Sequence, residues 1–194
     1  MNDIESRGEK IMNSKTNLEK ASTAHTPTVV YIKKLTIGGM LVALTVSLSG
    51  FSIPIGASKC FPIQHLVNVL AGVFLGPLYG VAMAFVSSLI RNLSGTGTLL
   101  AFPGSMVGAY LSGLLFQKTG KLLWAYAGEI TGTGIIGALL SYPVAVLILG
   151  KDAAVFFFVV PFLMSTLCGT LFAVFLLETF RRLGLLSYIR QLIN

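Results

Sequence analysis

Glu129 is the side chain in this sequence that most clearly calls for a chemical role. It is the eighth residue of the apolar stretch LLWAYAGEITGTGIIGALL, about 12 Å along a helix that begins at Leu122. A carboxylate at that depth in a hydrophobic helix is costly, so we expect it to serve a function and to have a partner. The candidate partners are Arg91, His65 and a bound ligand, and small neighbours such as Thr133 leave room beside it. The structural alternative is a protonated Glu129 packed between helices.

A second set of polar side chains lies where apolar segments begin or end. Gln64 and Asn68 are four residues apart and His65 precedes Asn68 by three, so all three project from neighbouring parts of one helix surface. The set comes from three segments that meet on one side of the predicted fold, which predicts an outward-facing polar pocket. Singly, such residues are also common at a membrane boundary as helix caps or snorkelling charges. The full set is Lys59, Gln64, His65, Asn68, Arg91, Asn92, Thr96 and Thr98.

Motifs of the common catalytic centres are missing from the sequence. Gly120-Lys121 lacks the upstream Gly and the following Ser or Thr of a phosphate-binding loop, and neither HExxH nor GxSxG occurs. Cys60 and Cys168 are not at metal-ligand spacing and are too few for a disulfide framework, so we interpret them as packing residues. The sequence predicts a protein that is not an enzyme, with no metal site, no cofactor and no ATPase of its own.

The elements that must position these residues are membrane helices. The chain of 194 residues is 54% hydrophobic and only 11% charged, against about a quarter charged in a soluble domain. Basic residues flank the apolar stretches and form no stripe interleaved with aromatics, so the net charge of +7 does not indicate a nucleic-acid partner. The expected location is the cell membrane. The uncharged stretches, each long enough to cross a bilayer as a helix, are residues 35–58, 60–90, 92–117, 130–150 and 153–177.

The number of crossings depends on Phe61–Ile90, which has 30 uncharged residues. One helix of that length would measure about 45 Å, too long for a bilayer core of about 30 Å. Gly76-Pro77 in its middle suits a helix end followed by a helix start. Six spans place seven basic residues inside and three outside, as the positive-inside rule requires, with both termini cytoplasmic. The predicted fold is all-α and integral to the membrane, with six transmembrane helices at about 35–53, 62–75, 77–93, 99–117, 122–149 and 153–180.

Three regions are expected along the chain. Residues 1–32 are polar and of mixed charge and are predicted to form a disordered cytoplasmic tail, with Met12 as an alternative start. Residues 33–182 form the six-helix membrane domain, and residues 183–194 form a cytoplasmic C-terminal segment. Small residues recur every four positions in the first helix, a spacing that permits close packing or the docking of another membrane protein. They are Gly39, Ala43 and Ser47.

Three blocks of the sequence resemble a known family. They are SIPIGASKCFPIQHLVNVLAGVFLGP, RNLSGTGTLLAFPGSMVGA and GEITGTGIIGALLSYPVA. With six predicted spans and no ATPase motif, the chain resembles the S components of energy-coupling factor (ECF) vitamin transporters. The blocks are similar to the ThiW family, assigned to the thiazole precursor of thiamin, and the resemblance covers about Lys33–Arg182.

The resemblance implies an S-component-like helix bundle that captures a vitamin precursor, here 4-methyl-5-(2-hydroxyethyl)thiazole, from outside the cell. It further implies a transmembrane T component and two cytoplasmic ATPases as partners, which use the ATP. The T component would contact the first-helix stripe, and the loop at about Pro54–Phe61 would gate the site.

A neutral thiazole needs an aromatic or apolar wall, one donor and one acceptor. It does not require Arg91 or Glu129, so either those two pair with each other or the substrate carries a charge. The candidate thiazole contacts are Phe61 or Tyr142 for stacking, and Gln64, His65 or Asn68 for hydrogen bonds.

Three alternatives stay open from the sequence. A stand-alone secondary transporter would use Glu129 as a proton carrier. An S component could instead be specific for a different vitamin. A small membrane-embedded enzyme would use His65 and Glu129 as acid and base.

Overall fold

The computed structural model describes residues 27–55 and 58–193, together with Met12. Over these residues the chain forms a bundle of seven helices and one short antiparallel hairpin, in which Ile53 pairs with Cys60. The elements are α1 (Pro27–Ser47), β1 (Ile53–Ile55), β2 (Ser58–Cys60), α2 (Pro62–Phe74), α3 (Pro77–Leu93), α4 (Ala101–Thr119), α5 (Leu122–Ile148), α6 (Val159–Arg182) and α7 (Leu185–Ile193).

Helix α2 lies at the centre of the bundle. Of its 13 residues 11 are buried, and it packs against α3, α4 and α6. Its second half carries Val67, Leu70 and Phe74 into the main hydrophobic core. Its first two turns carry Gln64 and His65, also buried. The helix therefore presents an apolar half to the core and a polar half toward the hairpin.

The break predicted at Gly76-Pro77 is present. Helix α2 ends at Phe74, and α3 begins at Pro77, whose fixed φ and missing N–H suit the first turn of a helix. Gly76 between them has φ 88°, in the region that glycine adopts without steric cost. The 30-residue apolar segment thus forms two helices separated by a short turn instead of a single long helix.

Helices α4 and α5 approach each other closely because glycines face each other across their contact. A Cβ on Gly132 would lie 2.7 Å from the Cα of Gly108, and one on Gly128 would lie 2.6 Å from the carbonyl oxygen of Leu111. Small residues at such spacing let membrane helices pack backbone to backbone. This contact brings Glu129 on α5 against α4.

Helix α5 is not α-helical throughout. It contains two wider π-helical segments, Gly132–Gly137 and Val144–Ile148, separated by a short α-helical stretch, Ala138–Pro143. The first segment follows Glu129 within one turn and contains Thr133. Such π-turns are rare and occur frequently at functional sites.

Helices α1, α5 and α6 are each long and apolar enough to cross a membrane. Helix α2 is a shorter apolar helix. The six predicted spans each correspond to one of the helices α1 to α6; that all six cross the membrane stays a prediction.

Three predicted boundaries differ from the structure. Helix α1 starts at Pro27, so residues 27–32 are helical and do not belong to a disordered tail, because the mainly apolar run PTVVYI continues the helix toward its N-terminus. It ends at Ser47, since a turn at residues 48–50 leads into the hairpin. Helix α6 starts at Val159 instead of 153, after a turn at residues 155–158. The rest of the tail, and the choice between Met1 and Met12 as the start, lie outside the described ranges.

The C-terminal segment forms a helix that the sequence analysis did not predict. One face of α7 packs into the core through Leu186, Ile189 and Ile193. The Nζ of Lys33 on α1 donates to the Leu192 carbonyl oxygen (2.7 Å), and the Arg190 guanidinium lies 5.0 Å from the Phe116 ring centroid on α4. Helix α7 thus closes the end of the bundle opposite the hairpin.

Candidate functional site

A cavity of about 400 Å³ lies at the hairpin end of the bundle. Helices α2 to α6 and the segments before α2, α4 and α6 all contribute to its wall. Its size falls within the range of small-molecule sites. The lining residues are Phe61, Gln64, His65, Arg91, Gly97, Thr98, Leu100, Ala101, Ser105, Thr133, Phe157, Phe158, Pro161, Phe162 and Ser165.

The Glu129 carboxylate lies behind one wall of this cavity and is fully buried. Its Oε1 is 2.9 Å from Nδ1 of His65 and accepts a hydrogen bond from Nδ2 of Asn68 (3.1 Å). The Thr133 hydroxyl, one turn along α5, is 3.0 Å both from this oxygen and from the Gly104 carbonyl oxygen. His65 and Asn68 on α2 and Thr133 in the next turn of α5 thus converge on one oxygen of the buried carboxylate, which links the two helices.

The other carboxylate oxygen has space only because position 108 is glycine. Oε2 of Glu129 has no hydrogen-bond partner among the described residues. A Cβ on Gly108 would lie 2.5 Å from that oxygen and would also overlap the Thr133 hydroxyl. The glycine in α4 therefore provides the room in which the carboxylate sits.

His65 connects Glu129 to a hydroxyl at the cavity wall. Its Nε2 is 3.0 Å from the Oγ of Ser165, which also accepts a hydrogen bond from the backbone N–H of Phe61 (2.9 Å). The order carboxylate, imidazole, hydroxyl is that of a serine hydrolase triad. However, Ser165 lies in the interior of α6, where backbone N–H groups bond within the helix, so its neighbours form no oxyanion hole. We interpret this series of hydrogen bonds as holding the Ser165 hydroxyl in place at the cavity wall.

Arg91 forms another part of the wall and is 2% exposed. Its Nη1 donates to Oε1 of Gln64, and its guanidinium lies 5.0 Å from the centroid of the Phe61 ring. The backbone N–H groups of Thr96 and Gly97 both donate to its carbonyl oxygen at 2.9 Å, which ends α3 and folds the following loop back over it. The loop GTGT thus helps to hold Arg91 at the cavity.

The third part of the wall is aromatic. Phe157 and Phe158 come from the turn before α6, and Phe162 follows one turn into the helix. Phe158 contacts both others edge to face, with centroid distances of 5.2 Å to Phe157 and 6.4 Å to Phe162. Aromatic faces with a few polar groups opposite them are typical of a site for a flat heterocycle.

Comparison with known proteins identifies the family. The family model for thiamine-precursor transporter proteins (ThiW) matches residues 35–183, well over half of the chain. The chain belongs to the ThiW family. The resemblance seen in the three sequence blocks is therefore confirmed, and the chain is a multi-pass membrane transport protein.

A second comparison relates this ThiW-family chain to another vitamin transporter. It is 30% identical over 122 residues to the biotin transporter BioY of Thermotoga maritima, and the match covers 56% of this chain and 72% of BioY. No solved structure matches the chain significantly. Both relationships support a substrate-binding transport subunit of the S-component type.

The cavity of this ThiW-family protein brings together half of the residues predicted for the site. Asn68 and Glu129 lie behind the wall and bond to lining residues, whereas Asn92, Thr96 and Tyr142 are not among the lining residues. The structure describes the backbone of Lys59, which belongs to β2, but not its side chain. The predicted residues that line the cavity are Phe61, Gln64, His65, Arg91, Thr98 and Thr133.

Sequence reasoning missed Ser105, Ser165 and the aromatic wall. Ser105 pairs with Ser88 across α3 and α4 at 3.0 Å between their hydroxyl oxygens. The run FFFVVPF has the composition of any lipid-facing helix, and only the turn at residues 155–158, which contains its first three residues, distinguishes it. A single serine such as Ser165 in an apolar helix gives no signal without its histidine partner.

The predicted partner stripe lies open on α1. Gly39, Ala43 and Ser47 are all exposed, and a Cβ on Gly39 would have no atom within 4 Å among the described residues. Cys60 is buried and Cys168 half-buried, both as free thiols. The described part of the chain has no group of three or more His, Cys, Asp or Glu side chains that could hold a metal ion.

Proposed function

We propose that this protein is the substrate-capture subunit of an ATP-driven importer, and that it takes up 4-methyl-5-(2-hydroxyethyl)thiazole from outside the cell. The observation that carries the proposal is the cavity of about 400 Å³, which has an aromatic wall facing fixed hydrogen-bonding groups. Membership of the thiamine-precursor transporter family favours a thiazole over other heterocycles.

The cavity offers each interaction that the thiazole requires. The ring packs between the Phe157, Phe158 and Phe162 side chains, which exclude water from its faces. The Ser165 hydroxyl, held by His65, and the amide of Gln64 are the groups that bond the ring nitrogen and the ligand hydroxyl. The walls come from five helices, so the site depends on the whole bundle.

The proposed topology has six spans, with the cavity end outside. The loops at that end carry few basic residues, and the opposite end carries most of them, which favours a cytoplasmic location for the opposite end. Both termini are then cytoplasmic, and α7 lies at the inner membrane surface. The short helix α2 is accommodated because its neighbours surround it and satisfy its polar first turns.

The proposed partners are a transmembrane T component and two cytoplasmic ATPases. The sequence has no phosphate-binding loop, so in this proposal ATP hydrolysis falls to another chain. The exposed stripe of Gly39, Ala43 and Ser47 on α1 is the surface proposed for the T component, since small residues allow a second helix to approach closely.

Calorimetry on the purified full chain tests substrate capture directly. Hydroxyethylthiazole is expected to bind with neither ATP nor an ion gradient present. Phe162→Ala removes part of the aromatic wall and should weaken binding at least about tenfold. Phe172→Ala, an exposed aromatic position on the same helix, is the matched control and should bind like wild type. Absence of thiazole binding, or tight binding of biotin in its place, would contradict the assignment.

A second candidate function is proton-coupled transport by the isolated chain, favoured by the buried His65–Glu129 pair. It predicts thiazole uptake into proteoliposomes that contain this chain alone and its loss in Glu129→Gln. Capture without transport by the isolated chain favours the importer subunit.

A further inference from the structure

Arg91 carries the only permanent charge among the described residues that line the cavity. Its contacts in the described part of the chain are the hydrogen bond to Gln64 and the Phe61 ring. Its Nε is buried without a hydrogen-bond partner there. A guanidinium carries five N–H donors, and among the described residues only Gln64 accepts a hydrogen bond from one of them.

No described carboxylate neutralises this guanidinium. Between residues 27 and 193 the sequence has only three acidic residues. Glu178 lies 2.6 Å from Arg181, and Glu129 bonds to His65. Asp152 is exposed and forms no salt bridge among the described residues. Among the described residues, Arg91 is thus a buried cation without a neighbouring anion.

The rest of the cavity end adds positive charge. Lys59 belongs to the hairpin and Lys151 to the loop before α6, at the same end of the bundle as the cavity. Clefts lined by one sign of charge concentrate ligands of the opposite sign. Asp152, exposed beside Lys151, offsets one of these charges, and Glu129 does not line the cavity; its Oε1 contacts His65 and Asn68.

Burying a guanidinium of this kind costs free energy unless an anion pairs with it. The matching group is a carboxylate or a phosphate, since both present paired oxygens to the planar fork of the guanidinium. Gln64 and the Phe61 face hold that fork in place before a ligand arrives, which reduces the cost of ordering it on binding.

We propose that the cavity binds an aromatic heterocycle carrying an anionic group, with a carboxylate or phosphate monoester against Arg91 and the ring against the Phe157–Phe162 wall. The inference deepens the proposed function, on which it rests for the thiazole ring. The proposed ligand differs from hydroxyethylthiazole in carrying an anionic group.

Calorimetry with two matched probe pairs tests the inference on the full chain. The first pair is hydroxyethylthiazole and its phosphate monoester, and the second is nicotinamide and nicotinate, which carries a carboxylate without a thiazole. At least one anion is expected to bind about tenfold or more tightly than its neutral counterpart, and the pair that shows the preference distinguishes phosphate from carboxylate. Higher salt should weaken the anion and leave the neutral probe unchanged.

Variants at Arg91 assign the preference to that residue. In Arg91→Gln the ratio of anion to neutral affinity should fall to near one, while Arg91→Lys should retain part of it because the charge stays and the planar fork is lost. Arg182→Gln, at an exposed arginine of the opposite end, should keep the wild-type ratio. If an Arg91 variant does not fold, the salt dependence of anion affinity in the wild type still shows whether a positive charge contributes to binding.

The outcomes separate the two proposals. Equal or tighter binding of both neutral probes in the wild type overturns the anionic ligand and leaves thiazole capture standing. A preference for nicotinate with no binding of either thiazole supports the anion site and overturns the thiazole assignment. An anion preference that persists in Arg91→Gln overturns the role of Arg91.

Discussion

The imidazole Nδ1 of His65 lies 2.9 Å from Oε1 of Glu129, which joins α2 to α5 across 64 residues of sequence. Both side chains are buried. Through Nε2 the same ring reaches Ser165, so one carboxylate–imidazole–hydroxyl chain connects three helices. The buried polar groups therefore stabilise the bundle and shape the cavity wall at once.

Loss of the Glu129 carboxylate should destabilise the fold. Glu129→Ala leaves the His65, Asn68 and Thr133 groups without their shared acceptor, and we expect the free energy of unfolding to fall by about 3–5 kcal/mol. Glu129→Gln keeps one acceptor oxygen and should lose less, about 1–2 kcal/mol. Denaturant or thermal unfolding in detergent measures both. Glu178→Gln, in the partly exposed pair with Arg181, is the control with an effect under about 1 kcal/mol; wild-type stability of Glu129→Ala would contradict the role of the network.

A methyl group at position 108 should displace the carboxylate. Gly108→Ala places its Cβ against Glu129 Oε2, and overpacking of this kind costs about 1–3 kcal/mol. Gly39→Ala has open space and should be neutral or stabilising, by up to about 1 kcal/mol, because alanine favours helix. Thermal unfolding of the two variants gives the comparison. Equal effects at both positions would show that the space beside Glu129 is not needed.

Removal of the Ser165 hydroxyl should weaken ligand binding more than stability. Ser165→Ala takes away the group that His65 holds at the cavity, and thiazole affinity should fall about tenfold. Ser112 supplies the control: its buried hydroxyl has no partner among the described residues and does not line the cavity, so Ser112→Ala should bind normally. Calorimetry decides, and unchanged affinity in Ser165→Ala would remove that residue from the site.

Labelling of single cysteines tests the direction in which the cavity opens. In a background of Cys60→Ala and Cys168→Ala, a membrane-impermeant thiol reagent applied to intact cells should modify Thr98→Cys and spare Lys121→Cys. Inverted vesicles should show the reverse, since the two exposed positions lie at opposite ends of the bundle. Hydroxyethylthiazole should slow the modification of Thr98→Cys. The opposite pattern would place the cavity on the cytoplasmic side.

A bulky side chain in the α1 stripe should block assembly without affecting capture. Ala43→Trp is expected to abolish copurification of the T component while ligand affinity stays at the wild-type value, because the stripe and the cavity share no residues. Leu171→Trp, an exposed position on α6, should assemble normally. Intact assembly in Ala43→Trp would remove the stripe as the contact surface.

Much of the fold could be predicted because long apolar segments indicate membrane helices, and glycine and proline indicate where those helices end and begin. The Gly76-Pro77 break is the clearest example, because two adjacent residues in the sequence decide where one helix ends and the next begins. The existence of α7 was missed for the opposite reason. It depends on contacts with distant segments, such as those of Ile193 in the core, which the sequence does not display.

The site was predictable where a residue is anomalous for its surroundings. Arg91 and Glu129 are conspicuous because charge is rare in apolar helices, and His65 is conspicuous beside them. Phe162 and Ser165 are ordinary for a membrane helix, and their part in the cavity comes from the turn that precedes α6. Of the candidate partners named for Glu129, His65 is found beside it, whereas Arg91 is not among its described contacts and bonds to Gln64 instead.

The π-helical turns in α5 set the angular phase of everything that follows them. An α-helix turns by about 100° per residue, so each widened turn offsets the remainder of the helix by a fraction of that angle. Ser141 lies beyond the first of these segments and donates to the Leu100 carbonyl oxygen at 3.0 Å. The widened segment therefore helps to decide which face of the far half of α5 meets the start of α4. At positions 132 and 137 a Cβ would lie 2.7 Å and 2.4 Å from glycine Cα atoms of α4, so residue identity in this stretch is tightly constrained.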